Sequence, residues 1–144
     1  MVTIQQIQQL REQTGVSITE CKKALEEAGG DFVKAKEVLK KWGKDLAGRK
    51  NVRATGQGVV AGYIHPNKKI GVLLELSCET DFVAKSKDFQ ILSHELCLQV
   101  AAMGDEAPLP EQPWVKDQSK TVNDLLDEYI AKIGENILLK RFAR

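Results

Sequence analysis

The chain has 144 residues, of which 42% are apolar and 28% charged, as is typical of a soluble globular protein with one domain or two small ones. Residues 1–53 carry 11 Lys or Arg against 7 Asp or Glu, whereas residues 54–144 carry 10 against 13. Neither part is basic enough for nucleic acid to be the expected main partner.

Residues 1–43 predict three short amphipathic helices. Each begins at a residue that can cap a helix and ends at glycine, and Gly15 is free to adopt a left-handed conformation. The predicted caps are Thr3 with Gln6, Ser17 with Glu20, and Asp31, and the predicted ends are Gly15, Gly29 and Gly43. The apolar stripes of the first two helices start at Ile4 and Ile18. Helices of about eleven residues are not stable alone in water, so we predict a packed three-helix module.

Residues 44–56 differ from the segment before them because they are rich in Lys and Arg and poor in apolar side chains. They predict a basic linker with room for one more helical turn. A solvated tether is the favoured interpretation, and a weak electrostatic contact with an acidic partner is the alternative.

From Gly58 the apolar pattern changes to a period of two. Residues 59–64 predict a strand, residues 65–67 a turn, and residues 70–78 a returning strand with one face buried. The sequence TDFVAKS follows at residues 80–86, which we call the corner, because the period then changes to about 3.6. Residues 89–103 continue as a long helix that is expected to cover the sheet.

The last part of the chain predicts a loop, a helix and a strand. Residues 105–116 contain three prolines and predict a loop without regular structure. Thr121 can cap a helix that ends near Gly134, and residues 137–142 favour a strand over a helix continuing to Arg144. Residues 57–144 thus predict an α+β core with a small three-stranded antiparallel sheet and helices on one face. Its uncovered edge and face predict a homodimer.

No catalytic constellation is recognisable. His65 and His94 have no Ser or Cys at a nucleophile spacing, and Cys78 is expected to be a small buried residue. Together with Cys21 and Cys97 it shows no metal-ligand spacing, so free thiols in a reducing cytosol are expected. No secretory signal and no apolar run of 18 residues is present, so no membrane partner is predicted.

Four stretches, spread in order over almost the whole chain, resemble the elongation factor Ts family. They are LREQTGVSITECKKALEEAGGD at 10–31, ATGQGV at 54–59, TDFVAKS at 80–86 and KIGENI at 132–137. The resemblance implies an exchange factor that binds elongation factor Tu with GDP, performs no covalent chemistry and needs no cofactor or metal. It also implies a cytoplasmic location, either bacterial or its organellar equivalent.

The resemblance further implies roles for parts of this chain. Residues 1–43 are similar to a ubiquitin-associated fold and would dock on the nucleotide-binding domain of elongation factor Tu, with residues 44–56 as linker and 57–144 as core. The residues that would disturb the magnesium site are Thr80, Asp81, Phe82 and Val83, and the docking residues would be Arg11, Ile18 and Thr19. The chain stops where long members of the family begin a second core half, so a dimer binding two elongation factor Tu molecules is expected.

Three alternatives stay open at this point. Phe82 lies seven residues before Phe89, so periodicity alone allows core packing as well as exposure. Asp81 can act on the partner's phosphates or metal ligands, or it can be a helix-start carboxylate favoured by the helix dipole. Finally, the three-helix module alone is compatible with a binding adaptor that has no exchange activity.

Overall fold

The computed structural model describes residues 1–144 and contains two compact units, Met1–Leu46 and Ala47–Arg144. The helices are α1 (Ile4–Thr14), α2 (Ile18–Glu27), α3 (Phe32–Lys50), α4 (Asp81–Ala84), α5 (Lys87–Met103) and α6 (Val122–Ile133). The strands are β1 (Gln57–Ile64), β2 (Gly71–Cys78), β3 (Pro113–Trp114), β4 (Asp117–Thr121) and β5 (Ile137–Ala143). The predicted domain limits at residues 43 and 57 stay a prediction.

The predicted caps of the first unit are present. Thr3 and Gln6 form a complete capping box, and Asp31 Oδ1 accepts hydrogen bonds from two N–H groups of the first turn of α3. Ser17 also caps α2, but the predicted capping box with Glu20 is incomplete. Glu20 Oε2 accepts from the Ser17 hydroxyl at 2.9 Å, whereas in a capping box it accepts from the backbone N–H of the N-cap residue. The helices bury one small core, made of Ile7, Leu10, Cys21, Ala24, Leu25 and Ala35.

Two predictions for the first unit are wrong. Ile4 and Ile18 begin their apolar stripes in the sequence, yet they are 74% and 53% exposed. Each is the first residue of its helix, so it lies at the end of the packed region and leaves the burial to residues one turn later. The third helix was predicted to end at Gly43, but it continues to Lys50. Glycine costs only about 1 kcal/mol inside a helix, and Ala47 beyond it is buried in the core of the second unit.

The main sheet has the predicted antiparallel topology, with β2 between β1 and β5. Helices α4 and α5 pack against β1 and β2, and α6 contacts α5. A bulge at Lys140 shifts the register between Glu75 and Leu76, so Ile137, Leu139 and then Phe142 all face the core. The final strand was favoured over a helix, and that prediction is confirmed.

The segment 105–116 is more regular than its three prolines predicted. It contains a short 3₁₀ helix at Leu109–Glu111 and strand β3, which pairs with β4. Two buried amides organise it: Gln99 donates to Gln112 and to the Pro113 carbonyl and accepts from the Val115 N–H, while Gln112 donates to the carbonyls of Gly104 and Ala107. The hydrogen bonds of Gln99 reach this segment from α5, 13 to 16 positions away, which explains why the local sequence indicated only a loop.

The other side of the main sheet has no helix on it. We call it the open face, and its large apolar residues are Val60, Ile64, Leu73 and Leu138, which are between 50% and 71% exposed. Strands β1 and β5 form the two edges of this sheet. None of the helices is both long enough and apolar enough to cross a lipid bilayer.

Candidate functional site

The corner links the central strand of the sheet to its covering helix. Thr80 is the N-cap of the one-turn helix α4, and its hydroxyl accepts a hydrogen bond from the Val83 N–H at 3.3 Å. Lys85 is the C-cap of α4, and Ser86 is the N-cap of α5. The Ser86 hydroxyl donates to the Val83 carbonyl of α4 at 2.7 Å and accepts from the Phe89 N–H of α5 at 3.3 Å. The predicted change from strand to helix is therefore built from two consecutive caps with a single helical turn between them.

The side chains of this turn separate into an inner and an outer set. Val83 and Ala84 are buried, at 8% and 1% exposure, and pack into the core of the second unit. Phe82 points the other way and is 85% exposed. Core packing of Phe82, which periodicity alone allowed, is therefore excluded. Phe89, seven residues later, is fully buried.

Asp81 has an intramolecular partner that the sequence did not indicate. Its Oδ2 lies 2.7 Å from the Lys85 Nζ, one turn further along. The hydrogen bond and the charge of Asp81 raise the pKa of the exposed Lys85 ammonium. Asp81 is also the first residue of α4, where a carboxylate is favoured by the helix dipole. The carboxylate is 60% exposed, so a partner can reach it after displacing Lys85.

The corner is also held from a distant part of the chain. Glu135, in the turn between α6 and β5, accepts hydrogen bonds from the N–H groups of Glu79 and Thr80 and from the Thr80 hydroxyl. Glu135 lies in the motif KIGENI, but the sequence indicated no function for it. No local signal could have connected residues that are 55 positions apart in the chain.

The predicted docking residues lie in the first unit. Arg11 is in the last turn of α1, and Ile18 and Thr19 are the first residues of α2. All three therefore lie close in sequence to the connection between these two helices, residues 15–17. All three are exposed, and Ile18 is an apolar side chain exposed to solvent over 53% of its surface. The corner belongs to the second unit.

The reactive side chains do not form a nucleophilic centre. Burial raises the pKa of the thiols of Cys21, Cys78 and Cys97, and the Glu135 charge adds to this for Cys78. A raised pKa keeps a thiol protonated and unreactive at neutral pH. His65 Nδ1 lies 2.9 Å from the Tyr63 hydroxyl, so the hydrogen-bond partner of this histidine is a tyrosine and not a Ser or Cys. No group of three or more His, Cys, Asp or Glu is placed to hold a metal ion.

Comparison with known proteins gives one consistent family. The family model described as "Elongation factor TS" matches residues 79–144, which include the corner and Glu135. Elongation factor Ts from Anaeromyxobacter dehalogenans (strain 2CP-1) is 40% identical, with 99% of this chain and 87% of that protein covered. Those from Coprothermobacter proteolyticus and Thermosipho melanesiensis are 40% and 39% identical and cover 96% and 100% of this chain, and 94% and 97% of their own lengths. The alignments are 185 to 191 positions long, whereas this chain has 144 residues. Each relative therefore contains residues that align with gaps in this chain.

Proposed function

Because the chain belongs to the elongation factor Ts family and so acts in translation elongation, we propose that it binds elongation factor Tu in its GDP form and promotes GDP release. It is an exchange factor without covalent chemistry of its own. Its place of action is the compartment where translation occurs, the bacterial cytoplasm or the organellar equivalent.

One observation carries this proposal: an aromatic ring that is 85% exposed on a firmly anchored turn. A large apolar side chain gains nothing for the chain's own stability in that position. Aromatic residues are, in contrast, enriched among the few residues that dominate protein interfaces. The buried pair Val83 and Ala84 and the two caps hold the turn, so Phe82 meets its partner without a large loss of backbone freedom.

Exchange requires that the factor and the nucleotide weaken each other's binding to elongation factor Tu. This coupling is reciprocal, so the loss of GDP affinity equals the loss of affinity for the factor when GDP is bound. Each tenfold loss of GDP affinity needs about 1.4 kcal/mol, so an acceleration of several decades needs about 4–7 kcal/mol. A buried aromatic contact supplies about 2–4 kcal/mol of that amount. The rest must come from other contacts that strengthen as GDP leaves, because a contact that is equally strong in both states adds nothing to the coupling.

The magnesium ion that accompanies the nucleotide is the sensitive target. It demands nearly octahedral oxygen coordination, so small displacements of its surroundings weaken its binding sharply. In the proposed complex Phe82 inserts between elements of the nucleotide-binding domain and shifts the loops that hold phosphate and metal. Asp81 places a carboxylate near the same phosphates once its ion pair with Lys85 opens. Thr80 and Val83 hold the turn from which these two side chains act.

The first unit supplies the docking surface. It is proposed to have the ubiquitin-associated type of fold and to bind the nucleotide-binding domain through Arg11, Ile18 and Thr19. The exposed Ile18 supports this proposal, because it heads an apolar stripe without being part of the core. A docking contact of this kind would contribute equally before and after GDP leaves, so it would set affinity more than maximal rate.

The open face supports a homodimer. Four large apolar residues stand on an uncovered sheet face between two free edges. Sheets commonly pack face to face, and a second copy would bury this surface. We therefore propose a dimer that binds two molecules of elongation factor Tu.

Stopped-flow release of a fluorescent GDP analogue from elongation factor Tu tests the proposal. The chain at micromolar concentration should accelerate release by orders of magnitude over spontaneous dissociation. Bovine serum albumin at the same concentration serves as the protein control. A release rate that does not depend on the chain's concentration would contradict the proposed function.

A further inference from the structure

One carboxylate outside the corner holds the start of the corner by three hydrogen bonds. Glu135 Oε1 accepts from the Glu79 N–H at 3.1 Å and from the Thr80 N–H at 3.0 Å, and Oε2 accepts from the Thr80 hydroxyl at 2.7 Å. On the basis of the proposed function, we infer that Glu135 is a positioning residue for nucleotide exchange. It fixes the direction in which Phe82 leaves the protein and acts through Thr80.

The position of Glu135 follows from the register of the sheet. Ile137 pairs with Cys78, Leu138 with Ser77, and extending this antiparallel register by two residues sets Glu135 opposite Thr80. The backbone ladder has ended there, so the N–H groups of Glu79 and Thr80 need another acceptor. The carboxylate supplies it, and hydrogen bonds to an ionised acceptor are stronger than those between neutral groups.

The Thr80 hydroxyl transmits this contact to the helical turn. It donates its proton to Glu135 Oε2, which leaves its lone pairs to accept from the Val83 N–H at 3.3 Å. The carboxylate therefore orients the N-cap that begins α4. A helical turn of four residues has little stability of its own. The direction of the Phe82 side chain therefore depends on how the two ends of this turn are held. Ser86 holds the end of the turn, and Glu135 holds its start.

The turn that carries Glu135 is itself held in place. Gly134 has a φ of 88°, a left-handed conformation that ends α6, and its carbonyl accepts a hydrogen bond from the Lys50 ammonium. Asn136 is buried and donates to the Arg53 carbonyl at 2.9 Å. The carboxylate thus projects from a backbone fixed on both sides. Preorganisation of this kind is what a positioning residue requires, because a displacement of about 1 Å can reduce a rate about 100-fold.

The variant that isolates this contact is Glu135→Gln. It keeps the size of the side chain and one carbonyl oxygen for the backbone N–H groups, but its amide nitrogen cannot accept the Thr80 proton. Glu128→Gln is the matched control. Glu128 lies on α6 of the same unit and loses an ion pair with Lys120 in that variant, but it makes no contact with the corner.

GDP release from elongation factor Tu is measured as a function of the concentration of each variant. We expect Glu135→Gln to lower the maximal release rate about tenfold or more, while the concentration for half-maximal effect stays close to that of the unaltered chain. Glu128→Gln should match the unaltered chain in both quantities. A purely structural role for Glu135 would instead lower the fraction of folded protein and leave the maximal rate of the folded fraction unchanged.

Backbone amide hydrogen exchange, followed by NMR on the chain alone, provides the second readout. In Glu135→Gln the amide of Val83, whose acceptor is the Thr80 hydroxyl, should exchange faster, while those in the centre of β2, such as Leu74, keep their protection. An unchanged maximal release rate in Glu135→Gln, or unchanged exchange at Val83, would overturn the inference. If the unaltered chain itself fails to accelerate GDP release, the proposed function is wrong, and the amide measurement alone decides whether Glu135 orders the corner.

Discussion

Replacing Phe82 by alanine should separate exchange activity from folding. The ring is 85% exposed, so its removal takes little apolar area out of the protein's own core. Surface substitutions of this kind change the free energy of unfolding by no more than about 0.5 kcal/mol. The anchors of the turn, Val83 and Ala84, remain buried in the variant.

The effect on exchange should be much larger. Truncation of an aromatic hot spot costs about 2–4 kcal/mol of interaction with the partner. If this energy is gained only as GDP leaves, the maximal release rate falls about 30-fold to several hundred-fold. The concentration for half-maximal effect should change little, because the docking residues of the first unit are unaltered.

Stopped-flow release of a fluorescent GDP analogue from elongation factor Tu measures both quantities. Val52→Ala is a suitable control, because Val52 is an apolar side chain outside the corner with nearly the same exposure, 86% against 85% for Phe82. Phe82→Leu should give an intermediate rate, since it keeps apolar volume without the ring. A maximal rate for Phe82→Ala within twofold of the Val52→Ala rate would refute the reasoning, as would a large loss of thermal stability.

Three further predictions concern packing, assembly and pH. Phe89→Ala, at a fully buried position, should lower the free energy of unfolding by about 3–5 kcal/mol in a denaturant titration. Leu138→Lys places a charge on the open face and should shift the protein from dimer to monomer in sedimentation equilibrium, whereas a wild-type monomer would contradict the proposed dimer. Burial raises the pKa of the Cys97 thiol, so its contribution to stability is complete below the ordinary thiol pKa of about 8.5 and is lost as pH rises towards the higher pKa of the folded state. Cys97→Ala should therefore show a smaller loss of stability above about pH 8.5 than the unaltered chain, as measured by unfolding at a series of pH values.

The features that sequence analysis predicted correctly are those that local chemistry determines. The capping box at Thr3 and Gln6, the cap at Thr121 and the alternation in β2 each depend on residues a few positions apart, and all are present. The change of period at residues 80–86 likewise located the corner. These are short-range signals, since helix caps and strand alternation act within one or two turns or a few residues.

The features that it missed depend on contacts between distant segments. Gly43 is a strong local signal for the end of a helix, but burial of Ala47 in another core carries α3 past it. The amide of Gln99, on α5, orders a loop whose own composition did not define a structure. Glu135 is the same case at the corner, because only the β2–β5 register brings it opposite Thr80. Contacts with distant residues thus determine the structure wherever the local propensity is weak or favours a different structure.

The dependence of exchange on magnesium tests the central claim most directly. GDP release from elongation factor Tu is measured with and without a saturating amount of the chain, first in the presence of magnesium and then after its removal by EDTA. If Phe82 acts by weakening the metal site, the acceleration by the chain should be much smaller without magnesium, and Phe82→Ala should then match the unaltered chain. An equal acceleration factor with and without magnesium would contradict the account.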